Sequence, residues 1–314
     1  MHRLALCPHR RLRPTDTHAA VPARRSPHNR RMTGQERMAA HIVPPGQTME
    51  MTMDFAGTLV ANGEPFEVTL RGPDGAPVVM FSNSLGTRME MWGAQAAALA
   101  CDYRVLCYNP RGFHPQSRAD GDFDIALLGQ DALAILDELG IAQVHWCGIS
   151  LGGVIGQWLL LHAPDRLERT VLANTSTWFG GPDGWLPKIA MVRAEGTSTV
   201  AEGTAQRVLT AGFADAHPDV VSFVRDMVAS APARAWAGCA AALAHVDHRG
   251  RLREVSRPVL VIGGTEDVTT PYAASRELHG ELRGSSLVAL PSAHLSNLEQ
   301  PTRFNEVLLA HLRA

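Results

Sequence analysis

The sequence predicts an α/β protein, a mostly parallel sheet covered by helices on both faces with an all-helical segment inserted late in the chain. Three observations carry that expectation. From Met51 onward, short runs rich in Val, Leu and Ile alternate with longer amphipathic ones. The short runs are continuously apolar, as strands buried on both faces must be. The section from Thr175 to Val255 breaks this rhythm: it lacks convincing strands and reads as several helices punctuated by Gly180-Gly181-Pro182 and His217-Pro218.

Taken in order, Phe55 to Val60 and Phe66 to Arg71 read as an opening antiparallel pair joined by a turn over Ala61-Asn62-Gly63-Glu64-Pro65. Pro77 introduces the strand Val78-Val79-Met80-Phe81, which ends in Ser82-Asn83-Ser84-Leu85-Gly86. A helix over about Met89 to Ala100 precedes the strand Arg104 to Tyr108. Ile125, Leu128, Ala132, Ile135, Leu136 and Leu139 then fall on one face of a helix that Gly140 ends. Strands follow at Val144 to Cys147 and Thr170 to Ala173. After the helical insertion come the strand Pro258 to Gly264, a helix near Ala273 to Leu282, the strand Ser286 to Leu290 and a last helix from Pro301 to about Leu312.

These elements divide the chain into a core in two parts, 51–174 and 256–314, with a helical cap or lid at 175–255. An insertion between two sheet strands is most simply a cover over the carboxyl edge of the sheet, where open α/β sheets bind ligands. Residues 1–50 differ in composition. Nine of the first forty are arginine and only Asp16 and Glu36 are acidic, with no apolar periodicity, so this segment is expected to be disordered. An upstream extension is favoured over an organellar transit peptide, because Met32, Met38, Met49, Met51 and Met53 are all plausible alternative starts.

Bulk properties narrow the function. A hydrophobic content of 45% with 19% charged residues is that of a soluble globular protein, and no apolar run is long enough to span a bilayer. A formal net charge of −2 gives no electrostatic reason to expect nucleic acid or membrane partners. The five cysteines, odd in number and without C-x-x-C spacing, read as reduced packing residues in a cytoplasmic protein. His245-Val246-Asp247-His248 lacks a third ligand at a recognisable spacing, so no metal site is expected. Nothing in the sequence speaks to oligomeric state.

The chemistry begins at Gly148-Ile149-Ser150-Leu151-Gly152, a G-x-S-x-G pentapeptide between an apolar strand and a helix. In that context the glycines permit a sharp turn that pushes the Ser150 hydroxyl out of the sheet. A serine hydroxyl needs an adjacent base, itself held by an acid. Gly264-Thr265-Glu266-Asp267 follows one later strand and Pro291-Ser292-Ala293-His294 follows the next, placing an acid and a histidine at successive strand ends. Asp267 is preferred as the acid, with Glu266 as its alternative. Asn174, at the other position where an acid could stand, cannot carry charge. Two backbone N–H groups must hold the oxyanion. Leu151 supplies one and Leu85 is expected to supply the other, with Gly86 as runner-up.

On these residues the chain resembles the 3-oxoadipate enol-lactonase group of α/β-hydrolases, from about residue 55 to the C-terminus. Ser82-Asn83-Ser84-Leu85-Gly86-Thr87 with Met91-Trp92 resembles the group's oxyanion loop, and Cys147 to Gly153 its elbow. Val192-Arg193-Ala194-Glu195-Gly196 resembles its lid helix, and His294 to Pro301 its histidine loop. The resemblance implies an eight-stranded α/β-hydrolase fold with the lid after the sixth strand. It also implies cofactor-free opening of a carboxylated enol-lactone through an acyl-enzyme on Ser150. The alternatives are another lactone, a simple ester or a carbon–carbon bond as substrate, or a catalytically silent ligand-binding receptor.

Two segments depart from the group's pattern. Asn109 stands where an acid is usual in Asn109-Pro110-Arg111-Gly112-Phe113-His114, and Trp178 stands where a lysine is expected. A carboxylated substrate needs a cation in a largely apolar pocket. Lys188, the chain's only lysine, and Arg193 are the lid candidates, with Arg88 and Arg111 as loop candidates and Trp178, Trp185 and Trp236 as possible pocket walls.

Overall fold

The computed structural model describes residues 54–314; the expected disorder of 1–50 lies outside the described residues. The strands are β1 (Phe55–Ala61), β2 (Glu64–Arg71), β3 (Val78–Ser82), β4 (Arg104–Tyr108), β5 (Val144–Ile149), β6 (Leu167–Ala173), β7 (Val259–Gly264) and β8 (Ser286–Leu290). They form one sheet in the order β1-β2-β4-β3-β5-β6-β7-β8. β1 with β2 and β2 with β4 are antiparallel, and every other pairing is parallel.

The opening hairpin turns on two residues rather than five: Asn62 and Gly63 both have positive φ, 44° and 74°. Such a turn matches the right-handed twist of the strands it joins, and Asn-Gly tolerates it best. Pairing therefore continues through Val60 opposite Pro65 and Ala61 opposite Glu64.

The continuous apolar runs have the expected cause. Successive side chains on a strand point to opposite faces, and here both faces are covered. Met80, Leu106, Trp146, Leu172 and Val261 enter one hydrophobic cluster, with α2 (Ile125–Glu138), α3 (Leu151–His162) and α9 (Tyr272–Glu281) contributing Ile135, Leu159 and Leu278. Their neighbours Phe81, Cys107, Cys147, Val171 and Ile262 enter the other, against Leu99 of α1 (Gly93–Leu99) and Phe304 and Leu308 of α11 (Pro301–Arg313). α2 starts on an Asp124 side chain that accepts a hydrogen bond from Leu127 N at 2.7 Å and stops at Gly140, whose φ is 66°. Cys107, Cys147 and Cys239 are buried free thiols, as expected of packing residues, whereas Cys101 is disulfide-bonded, which corrects the expectation that all five are reduced.

Between β6 and β7 lie five helices: α4 (Leu186–Glu195), α5 (Ser198–Val208), α6 (Ala211–Ala216), α7 (Pro218–Ala229) and α8 (Ala233–His245). They form the helical cap, inserted after the sixth strand. Among the described residues no helix is long and apolar enough to cross a membrane. The short helix α10 (Ser296–Glu299) directly after His294 was not legible in the sequence.

Candidate active site

Ser150 occupies the sharp turn between β5 and α3, with φ 56° and ψ −110°. A non-glycine residue in that region is strained by about 1–3 kcal/mol, held there only by its surroundings. The surroundings are close-packed backbone. A Cβ on Gly148 would sit 2.1 Å from Gly152 O, and one on Gly152 would sit 2.2 Å from Ser82 O. Only glycine at both positions lets β5, β3 and α3 approach this closely. Ser150 N donates to Ala173 O at 3.0 Å, and Thr175 Oγ1 donates to Ser150 O at 2.8 Å.

Asp267 and His294 stand in the loops after β7 and β8. The His294 Nδ1 lies 2.8 Å from Asp267 Oδ2, and both side chains are buried. Asp267 also accepts from Thr269 N at 2.8 Å, Thr270 N at 3.0 Å, Thr270 Oγ1 at 2.8 Å and Asn174 Nδ2 at 3.1 Å. Burial pushes its carboxyl up, but the charge and hydrogen bond of His294 together with the other donors outweigh burial and hold it down at about 2. The carboxylate is therefore ionised throughout the neutral range. Glu266, the alternative acid, is exposed and presents its backbone N–H to Ser292 O at 3.0 Å. Ser150, Asp267 and His294 are 3%, 4% and 2% exposed. The pairing of the Ser150 hydroxyl with His294 is not among the hydrogen bonds of the described residues.

The loop after β3 lies against the first turn of α3, where Gly152 N donates to Asn83 O at 3.0 Å. Asn83 is itself fixed by donating to Tyr108 O and accepting from Trp92 Nε1, at 3.1 and 2.9 Å. Leu151 opens α3, so its N–H has no intrahelical partner. Leu85 and Gly86 lie in the adjoining turn, and their N–H groups make no hydrogen bond among the described residues. The arrangement thus offers unpaired donors at a helix N-terminus, where negative charge is favoured.

The cap touches the loops after β3 and β8. Trp236 of α8, buried, lies so close to Gly86 that a Cβ there would be 2.8 Å from its ring. Val208 O at the end of α5 accepts from Leu295 N at 3.0 Å, next to His294. Thr210 Oγ1 donates to Glu299 Oε2 at 2.7 Å, while Glu299 Oε1 accepts from Ala293 N, also at 2.7 Å.

The other binding candidates are dispersed. Trp178 is 40% exposed, stacked under the Arg249 guanidinium at 4.4 Å and bridged to Asp247. Arg193 pairs with Asp122 at 2.6 Å on the surface. Lys188 is exposed on α4, its ammonium 5.7 Å from the Trp185 ring, and has no carboxylate partner among the described residues. Arg88 pairs with Glu67 at 2.5 Å and lies over the Phe113 ring. Arg111 is held by Asp131 and Asn62 O, which commits it to the interior. A surface cavity of about 640 Å³ lies between Arg249, Arg253, Glu277 and Arg283 and contains none of the three candidate catalytic residues. Among the described residues no group of three or more His, Cys, Asp or Glu side chains could hold a metal.

Residues 77–301 match the family described as the alpha/beta hydrolase fold. The chain is 38% identical over 259 residues to 3-oxoadipate enol-lactonase 2 of Acinetobacter baylyi, covering 82% of this chain and 97% of that one. The crystal structure of the enol-lactonase from Burkholderia xenovorans LB400 superposes with a TM-score of 0.80 at 33% identity, covering 82% of this chain and all of that one. A hydrolase from Pseudomonas aeruginosa PA01 superposes with a TM-score of 0.79 at 38% identity, covering 82% and 98%.

Proposed function

The chain belongs to the alpha/beta hydrolases and, within them, to the 3-oxoadipate enol-lactonases, and from that membership we propose that it opens a carboxylated enol-lactone through an acyl-enzyme on Ser150. The observation that carries this reading is a strained serine at the carboxyl edge of the sheet together with a buried Asp267–His294 pair on the same edge.

In this reading His294 takes the hydroxyl proton as Ser150 attacks the lactone carbonyl. The oxyanion is held by the N–H groups of Leu151 and Leu85, preorganised donors that need not reorient as the charge develops. Collapse of the tetrahedral intermediate breaks the ring C–O bond, and the leaving enolate remains tethered to the acyl group. It receives the proton that His294 took from Ser150, which frees the imidazole, and tautomerises from enol to ketone. Water, deprotonated by His294, then attacks the acyl carbon and releases the open keto acid, restoring the serine. Asp267 keeps the imidazole in one tautomer and stabilises its protonated form.

Trp236 is proposed as a wall of the substrate site because it already contacts the oxyanion loop at Gly86. Lys188 is proposed as the partner of the substrate carboxylate, being a cation without a carboxylate of its own. Arg88, Arg193 and Trp178 stand lower as contacts, since each is engaged by Glu67, Asp122 or Arg249. A soluble cytoplasmic setting suits this chemistry and the buried free thiols.

The test is a substrate panel: the carboxylated enol-lactone, an uncharged lactone of the same ring size, and a p-nitrophenyl ester. The reading expects kcat/KM highest for the carboxylated compound by at least tenfold. A preference for the uncharged compounds would retire the proposed substrate.

A further inference from the structure

The residue directly after β6 joins all three parts of the candidate catalytic machinery. Ala173 O accepts from Ser150 N at 3.0 Å, and Thr175 Oγ1 donates to Ser150 O at 2.8 Å, so the carbonyl before Asn174 and the hydroxyl after it grip the nucleophile's own peptide units. The Asn174 side chain reaches the other way. Its Nδ2 donates to Asp267 Oδ2 at 3.1 Å and to Ala293 O, the carbonyl just before His294, also at 3.1 Å. Its Oδ1 accepts from Ser296 Oγ at 2.6 Å, just beyond His294, and its N–H donates to Ile262 O at 2.8 Å. The side chain is fully buried and every polar group on it is used.

Resting on the reading of the site given above, we propose that Asn174 is a positioning residue of the reaction, holding the Asp267 carboxylate and the His294 loop in register with Ser150. Asn174 and His294 converge on the same carboxylate oxygen, Oδ2. Thr270 Oγ1 donates to the same oxygen at 2.8 Å, so the Asn174 amide adds a third donor from the β6 side, which fixes the direction of the carboxylate and so the tautomer and tilt of the imidazole. An amide does this without adding charge. A carboxylate here would crowd a second anion against Asp267 and leave Ala293 O without its donor. The backbone favours asparagine as well: Asn174 has φ 43°, a left-handed conformation that asparagine, aspartate and glycine accept more readily than other residues.

The charged and titratable groups near this amide are Asp267 on the β7 loop and His294 and Glu299 on the β8 side. Glu299 is tied to Ala293 N and Thr210, so the group free to respond to a change at position 174 is the Asp267–His294 pair.

The experiment compares Asn174→Gly, Asn174→Asp and Ser296→Ala in the full chain, by melting temperature and by pH–rate profiles on the enol-lactone. Glycine keeps the backbone conformation and removes the donor; kcat should fall about tenfold to a hundredfold with KM within about threefold. Aspartate keeps the shape and adds charge. It should lower kcat further at pH 7 and move the acidic limb of the profile up by about one pH unit, because a second anion favours the protonated imidazole. Ser296→Ala, which only frees the amide to turn, should cost a few-fold in kcat. Wild-type kcat and pH profile in Asn174→Gly and Asn174→Asp would overturn the inference. So would a fall in kcat that only tracks melting temperature with an unmoved profile. A wild-type chain inert toward both lactone and ester, and unlabelled at Ser150 by a serine-reactive phosphonate, overturns the reading of the site and this inference with it.

Discussion

Glu67 Oε2 lies 2.5 Å from Asn109 Nδ2, so a carboxylate from β2 stands beside the position where the chain carries asparagine instead of an acid. The same oxygen receives Arg88, and Asn109 Oδ1 accepts Met89 N at 2.8 Å, so the carboxylate and the amide together anchor the end of the loop after β3. Asn109→Asp should set two carboxylates against each other with only Arg88 between them and remove the donor to Glu67, lowering stability by about 1–3 kcal/mol. Combining it with Glu67→Gln should recover much of the loss. Urea unfolding of the single and double variants measures the coupling, and strictly additive losses would show that the two side chains act independently.

Ser150 carries backbone strain at the sharp turn between β5 and α3. Asp267 and His294 aside, removing that strain should make the fold more stable. Ser150→Gly is therefore expected to melt several degrees above the parent chain while losing activity by at least about 10⁴-fold. A melting temperature equal to or below that of the parent would mean that the turn is not strained in solution.

Asp267 and Glu266 are sequence neighbours with opposite surroundings, one buried on His294 and the other exposed. Asp267→Asn should reduce kcat by about 10²- to 10⁴-fold, since the imidazole loses the partner that fixes its tautomer. Glu266→Gln should change it by less than about twofold. Comparable losses in the two variants would remove the assignment.

Lys188→Ala should raise KM for the carboxylated lactone by about tenfold and leave an uncharged lactone unaffected, the signature of a lost charge-assisted contact. Equal effects on both substrates would place the lysine outside the substrate's reach.

His248 and His311 each stay neutral well below the usual histidine range, at about 4. Burial dominates in both, aided by Arg251 and His162 for His248 and by Arg169 and His145 for His311. Because the folded values lie below 6.5, the unfolded chain binds more protons between pH 6.5 and about 4. Their contribution to stability is fully present above pH 6.5 and is lost as the pH falls toward 4. The urea midpoint should drop across that window, and His311→Gln should lessen the drop. A midpoint unchanged from pH 7 to pH 4.5 contradicts the assignment.

The sheet was legible because continuous apolar strands and the turn at Ser150 are local patterns. That Ser150, Asp267 and His294 each stand just past a strand, β5, β7 and β8, was legible for the same reason. The cations were not, because pairing is a property of the folded chain: nothing near Arg88 or Arg193 in sequence announces Glu67 or Asp122. In the sequence Asn174 reads only as an absent acid, and its four hydrogen bonds arise only once β6, β7 and the histidine loop are side by side. The link that Glu299 makes between the cap and the histidine loop, through Thr210 and Ala293 N, is likewise a contact of the folded chain.

A lactone has no leaving fragment, so its acyl-enzyme keeps every atom of the substrate. The most direct measurement is rapid acid quench during turnover of the carboxylated enol-lactone, followed by intact and peptide mass spectrometry. The account predicts an adduct equal to the whole lactone mass on the peptide bearing Ser150, absent in Ser150→Ala. An adduct at another residue, or full turnover by Ser150→Ala, would contradict it.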